Sequence, residues 1–177
     1  TKQLLNFIFK GLTILIFKHN IILVKVGDFM SFSDRELLAR IVMCEAGGEG
    51  DNGMKAVASV IMNRVNVSTG EYFRISQGGN IRNIIFQQGQ FNCATDMLQG
   101  TYKPQNIYNM TPDETHYAIA DWALSGNILN AAGDCLWFMN PFRPTCPKEF
   151  PYNGTGSLHT RILNHCFYTP TSLYAST

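Results

Sequence analysis

No C-x-x-C pair, no internal repeat, no low-complexity tract and no cluster of Lys or Arg occurs in the 177 residues of this chain. Without C-x-x-C, a zinc ribbon or a redox motif is not expected. Charge is also scarce: 14 Lys and Arg stand against 13 Asp and Glu, a formal +1, so nothing answers the phosphate backbone of a nucleic acid, and none is expected as a partner. Uninterrupted apolar runs stay well short of the roughly 18 residues a transmembrane helix needs, so no integral membrane span is expected. The cysteines, at 44, 93, 135, 146 and 166, are odd in number, which excludes complete internal pairing. One bridge among Cys135, Cys146 and Cys166, or five reduced and packed thiols, both remain open. What is present is a 45% hydrophobic fraction, enough for one globular domain with a sizeable core.

Residues 1–29 differ from the rest. They are apolar, but Lys10, Lys18, His19 and Lys25 interrupt them. The longest clean run, Gly11 to Phe17, is short for the apolar region of a signal peptide, and no small-residue cleavage site follows. Val26-Gly27-Asp28 can be encoded so that an AGGTGA-like ribosome-binding sequence precedes the Met30 codon. The expectation is that residues 1–29 are translated leader and that residues 30–177 are the working domain. A membrane-associating apolar extension is the alternative. Residues 30–177 carry 10 basic and 12 acidic side chains, net −2.

From Met30 onward the pattern turns helical. Ser33-Asp34-Arg35-Glu36 is a capping box, and Leu38, Ile41, Val42 and Glu45 follow at i, i+3, i+4 and i+7. Gly47-Gly48 closes that helix. A second is predicted from Met54 to about Asn66, with an apolar face of Met54, Val57, Ala58, Ile61 and Val65, and small Ala56, Ala58 and Ser59 for close packing. Residues 67–110 are rich in glycine and read mostly as loop, a length that points to binding. Thr111-Pro112-Asp113-Glu114 predicts a second capping box with proline at the first helical position, and a helix turning Ala118, Ile119 and Trp122 inward. Leu136-Trp137-Phe138 and His165-Cys166-Phe167-Tyr168 predict short strands. The fold class expected is mainly α with a small β component.

Glu45 breaks its own pattern. It occupies a core-facing stripe where periodicity asks for an apolar side chain. Desolvation there raises a carboxyl pKa, and the helix C-terminal dipole pushes in the same direction. A carboxyl kept protonated near neutrality is what a general acid requires. A structural carboxylate near a helix end is the other reading. Asp34, Glu36, Asp113 and Glu114 sit in first turns, where capping accounts for them. Glu71 and Glu149 stand among polar or turn residues and read as solvated. Glu49, Asp51 and Asp96 are left as second carboxylates.

Several blocks around Glu45 then fall into one order. Glu45-Ala46-Gly47-Gly48-Glu49-Gly50, Gly53, Ala56 to Val60 and Asn63-Arg64-Val65 resemble the opening signature of the SleB/CwlJ cell-wall hydrolases, the spore cortex-lytic enzymes. The similarity continues at Gly89-Gln90-Phe91, Ala118, Ala120 to Ala123 and Trp137-Phe138-Met139-Asn140-Pro141. Ile162 to Tyr168 is similar to the CwlJ-like branch. Together the blocks span about Ser33 to Tyr168. The family pattern has Arg where this chain has Gly47 or Gly48, so a contact made by that Arg is in doubt. The resemblance implies a single compact lysozyme- or lytic-transglycosylase-like domain over residues 30–177, acting on peptidoglycan, with one essential glutamate carried by Glu45.

Supporting residues follow from the same blocks. Glu49 is the second acid, as base, water-positioner or helper to Glu45. Gln90 and Phe91 offer a hydrogen bond and a stacking face to a sugar; Asn63 and Arg64 offer polar contacts, with a surface salt bridge as the plain alternative for Arg64. Trp137 and Phe138 serve as a glycan platform or as core, and His165 reads as a core histidine. No cofactor and no metal is expected, although a zinc amidase using His116, His159 and His165, a Cys/His peptidase using Cys44 or Cys166, and a non-catalytic glycan-binding spore-coat module are rival readings. Cleavage of the muramic acid–glucosamine bond as a lytic transglycosylase is expected, with a hydrolytic muramidase or glucosaminidase as the alternative. The expected setting is the spore coat and cortex region or the cell wall, reached without a clear signal peptide, with a spore-coat protein as anchor.

Overall fold

The computed structural model describes residues 32–177 and, before them, the backbone of three strands. Those strands, β1 (Phe7–Phe9), β2 (Leu12–Phe17) and β3 (Asn20–Lys25), form an antiparallel meander in which Leu12 pairs with Lys25 and Phe17 with Asn20. They belong to one unit, Thr1–Ser33, and every later element belongs to a second, Asp34–Thr177. The expected start at Met30 lies outside the described residues.

In the second unit, α1 (Asp34–Ala46) begins directly after Ser33, with Asp34 and Glu36 in the first turn, where the helix dipole favours them. It buries the predicted Leu38, Ile41 and Val42, and also Leu37, Ala39 and Cys44. More than one face is covered because both α2 (Gly50–Asn66) and α5 (Glu114–Leu124) pack against it. Each fully buried Leu or Ile contributes roughly 1.5–3 kcal/mol. α2 starts four residues before the predicted Met54, at Gly50. Two glycines made that segment look like a turn, but Gly53 serves close approach: a Cβ there would lie 2.3 Å from the Glu49 Cβ. Small Ala56, Ala58 and Ser59 are fully buried, and the Ser59 hydroxyl accepts from the Leu129 N–H at 2.9 Å.

Residues 67–110 are mostly turn and loop, as the sequence predicts, but the stretch also holds short elements that the sequence does not announce. These are α3 (Gly70–Ser76), α4 (Ile81–Ile85), a 3-10 turn at Asn92–Ala94 and a short hairpin, β4 (Met97–Leu98) with β5 (Thr101–Tyr102). Helices this short have no periodicity to detect and persist only through packing, here against α2. α5 also differs in its start. Its cap is Asp113, not Thr111: Asp113 accepts from the Thr115 and His116 N–H groups while the His116 ring accepts from the Asp113 N–H. Pro112 therefore precedes the helix. α5 buries Ile119, Ala120 and Ala123, with Ala118 exposed and Trp122 half-buried.

The C-terminal sheet runs β6 (Trp137–Met139), β8 (His165–Pro170), β7 (Gly156–Ile162), all antiparallel, with Phe138 opposite Phe167 and Ile162 opposite His165. The two strands predicted here are present. β7 was not predicted, because as a mostly exposed edge strand it lacks an apolar alternation. Among the described residues, five helices and small antiparallel sheets give the mainly α architecture with a minor β part.

Candidate functional site

The last turn of α1, the start of α2, the start of α3, the 3-10 turn and β6 converge on a cleft of about 670 Å³. Of the residues singled out in the sequence, Glu45, Glu49, Arg64, Gln90, Trp137 and Phe138 line it. Asn63 and Phe91 do not. Asn63 instead donates to the Gly133 and Cys135 carbonyls at 2.9 and 3.0 Å, tying α2 to the segment that leads into β6. Phe91 is buried beneath the cleft, 6.3 Å from the Phe138 ring.

Glu45 sits on the penultimate residue of α1, partly exposed toward the cleft. Burial of its carboxyl raises the pKa above the ordinary 4.5; the backbone N–H of Cys93 and the charges of Lys103 and Arg64 oppose this without reversing it. The net effect holds the proton on Glu45 into a range where an exposed glutamate has lost it.

Glu49, at the N-cap of α2, has the opposite balance. Burial alone would raise it, but its Oε2 accepts from the Asn164 N–H at 2.9 Å and its Oε1 from the Asn164 side-chain amide at 3.0 Å. His165 Nδ1 lies 3.5 Å away, and together these hold Glu49 below the usual range. Asn164 is in the turn between β7 and β8, so this carboxylate fastens the hairpin to α2. His165, predicted as a core histidine, is buried and also lines the cleft. Burial lowers its pKa against the pull of Glu49, leaving a neutral ring at neutral pH.

Arg64 makes no surface salt bridge, contrary to its plain sequence reading. It is buried, donates from Nε to the Leu136 carbonyl at 2.6 Å, and lies between the rings of Tyr72 and Phe91, 4.7 and 5.2 Å from their centroids. Tyr72, on α3, donates its hydroxyl to Gln90 at 3.0 Å. Nothing in the sequence singles it out, because α3 is too short to show a helical period. Glu71 beside it, expected from the sequence to be solvated, is half-buried, lines the cleft and accepts from the Gln87 amide at 2.5 Å. Asp51 and Asp96, the other carboxylates left open, lie outside the lining and are exposed, Asp51 paired with Lys55 at 2.7 Å.

Two disulfides join Cys44 to Cys93 and Cys146 to Cys166. The second falls within the trio considered from sequence; the first does not. It links the neighbour of Glu45 to the residue whose N–H meets the Glu45 carboxyl, a pairing that needs α1 and the 3-10 turn to be adjacent in space. Cys135 is free and buried, its pKa pushed up to about 12 by burial and by Asp134. A low-pKa thiolate for a Cys/His peptidase is therefore not available from Cys44, Cys166 or Cys135. Among the described residues no group of three or more His, Cys, Asp or Glu is placed to hold a metal ion. An added Cβ at Gly47 would fall 2.5 Å from the Met43 carbonyl oxygen, while Gly48 faces open space, so only Gly48 leaves room for the side chain the family pattern carries.

Comparison with known proteins adds to this geometry. The sequence profile of the cell wall hydrolase family matches residues 48–168, a span that opens just past Glu45. Cell wall hydrolase CwlJ of Halalkalibacterium halodurans is 32% identical over 140 residues, covering 78% of this chain and 87% of that protein. The spore cortex-lytic enzyme of the same organism is 36% identical over 112 residues, 63% of this chain and 28% of its own length. Among solved structures, the catalytic domain of the germination-specific lytic transglycosylase SleB from Bacillus anthracis superposes with a TM-score of 0.56 at 26% identity, over 81% of this chain and all of that domain.

Proposed function

The chain belongs to the cell wall hydrolase family, and on that premise we propose that it cleaves peptidoglycan glycan strands between muramic acid and glucosamine, with Glu45 as general acid and then base. The observation that carries this is the Glu45 carboxyl, desolvated on the wall of an open cleft and biased toward its protonated form. Glu45 gives its proton to the glycosidic oxygen as the muramyl C1–O bond breaks. Now ionised, it accepts the proton of the muramyl 6-hydroxyl as that oxygen bonds to C1. The products are a free glucosamine 4-hydroxyl and a 1,6-anhydromuramyl end, and Glu45 is protonated again.

Support for transglycosylation over hydrolysis comes from the second acids. Hydrolysis needs a carboxylate as nucleophile or as base for water. Both oxygens of Glu49 are engaged by Asn164, which suits a positioning residue that holds the cleft wall. Glu71 is the observation that favours the hydrolytic reading, since it lines the same cleft. The domain extends over residues 30–177, its substrate is cortex or wall glycan, and the setting is the spore coat and cortex region, with a coat protein as anchor.

Glu45→Gln keeps the side-chain shape and removes the acid. Lysis of purified peptidoglycan should fall about 10²–10⁴-fold, and the parent digest should carry ends about 18 Da lighter than hydrolysed reducing ends, by loss of one water. Retained lysis in Glu45→Gln would overturn the assignment. Full-mass reducing ends from the parent would replace transglycosylation by hydrolysis and make Glu71→Gln the next variant.

A further inference from the structure

Phe142 stands out from every other large apolar residue on the described surface. Its side chain is 91% exposed, against 68% for Tyr152 and 60% for Leu163. Its backbone is also left-handed, φ +50°, where a bulky side chain is disfavoured. The conformation is held by an Asx turn, with the Phe142 N–H donating to Asn140 Oδ1 at 2.8 Å. Two unfavourable features therefore coincide in one residue: a ring left in water and a backbone that glycine would adopt freely. Neither is relieved by packing. Both point away from a structural role and toward something that covers the ring.

The place of the ring says what that is. Phe142 lines the cleft that holds Glu45, as do Asn140 before it and Phe150 and Pro151 after it. Phe150 is anchored, its ring 5.6 Å from that of buried Tyr168, and the Cys146–Cys166 disulfide ties the intervening segment to β8. A mobile tip is not what presents Phe142; a cross-linked loop does. One face of a pyranose ring is a sheet of C–H groups with hydroxyls at its rim, and an aromatic ring covers that face without leaving a polar group unsatisfied.

Resting on the glycan-cleaving reading above, we propose that Phe142 is a sugar-stacking platform at the mouth of the cleft, binding an N-acetylhexosamine ring of the glycan strand on the same wall as Phe150. Occupation of this site holds the strand across Glu45 and covers the ring that the free protein leaves in water.

The test uses full-length protein carrying Glu45→Gln, so that bound glycan is not cut, and insoluble peptidoglycan sacculi as the probe. Adding Phe142→Gly should weaken sedimentation with sacculi by about threefold to tenfold, the range of one aromatic stacking contact, and Phe142→Trp should restore it. Thermal unfolding of the Gly variant should be no lower than that of its parent, because glycine meets φ +50° without strain. Unchanged sacculus binding in Phe142→Gly overturns the platform while leaving the glycan-cleaving reading intact. A lowered melting temperature with lost binding would make Phe142 structural and overturn it too. If the Glu45→Gln parent itself fails to bind sacculi, the reading beneath the proposal falls with it.

Discussion

At the scale of single residues, Glu45 and Glu49 are the same side chain four positions apart with opposite titration. Burial raises Glu45, so its ionised form is less favourable in the folded than in the unfolded chain. Its stability contribution is fully present below the ordinary carboxyl pKa and is lost as pH rises through the raised one. Glu49 is lowered by Asn164 and His165 in spite of its burial, so it contributes stability above the ordinary pKa and loses it as pH falls through the lowered one. Urea unfolding as a function of pH should separate them. Glu45→Gln should be more stable than the parent at pH 7, with the gain shrinking to nothing below about pH 4. Glu49→Gln should be less stable at pH 7, by about 1–3 kcal/mol for a buried and charged acceptor, with the loss shrinking in acid. Equal behaviour of the two variants at pH 7 would contradict these environments. The position of Glu45 in an apolar stripe was readable from periodicity; the partners that set Glu49 were not, because Asn164 is 115 residues away.

At the scale of elements, the cleft is an assembly of helix ends and short connections held by cross-links. The Cys44–Cys93 bridge spans 49 residues and Cys146–Cys166 spans 20. By loop-closure entropy they contribute roughly 4 and 3 kcal/mol to stability. A dithiol reductant delivers two electrons and two protons to each bridge, frees two thiols and closes to its own cyclic disulfide. The two bridges should differ in their effect on catalysis, since only the first keeps the Cys93 N–H against the Glu45 carboxyl. That hydrogen bond lowers the Glu45 pKa, so its loss moves the pKa further up. In a Cys44→Ser/Cys93→Ser variant, compared at equal fraction folded, lysis should drop and its alkaline limb should shift to higher pH. Cys146→Ser/Cys166→Ser should leave that limb in place. The short α3 and α4 belong to the same scale. Their sequences hold too few residues to show a period, and they exist as helices because α2 supplies a surface for Tyr72, Ile81, Ile84 and Ile85 to be buried on or near.

At the scale of the molecule, α1 to α5 and the β6–β8–β7 sheet lie within Asp34–Thr177, and no helix among the described residues is long and apolar enough to cross a membrane. A chain that begins at Met30 keeps each of these elements, so its melting temperature and its lysis rate should equal those of the full 177 residues; a loss in either would assign residues 1–29 to the working protein. Periodicity and caps in the sequence determined α1, the body of α2 and α5, and the misplaced Glu45, because each depends on neighbours within one or two turns. Ordered blocks determined the family. Tertiary structure decided the rest: that Arg64 is buried between two rings, that Glu71 and His165 face the cleft, that Glu49 fastens a distant hairpin, and that Cys44 reaches Cys93. Each of those depends on which surfaces meet when the helices pack, and a contact between residues far apart in the chain leaves no local spacing from which to read it.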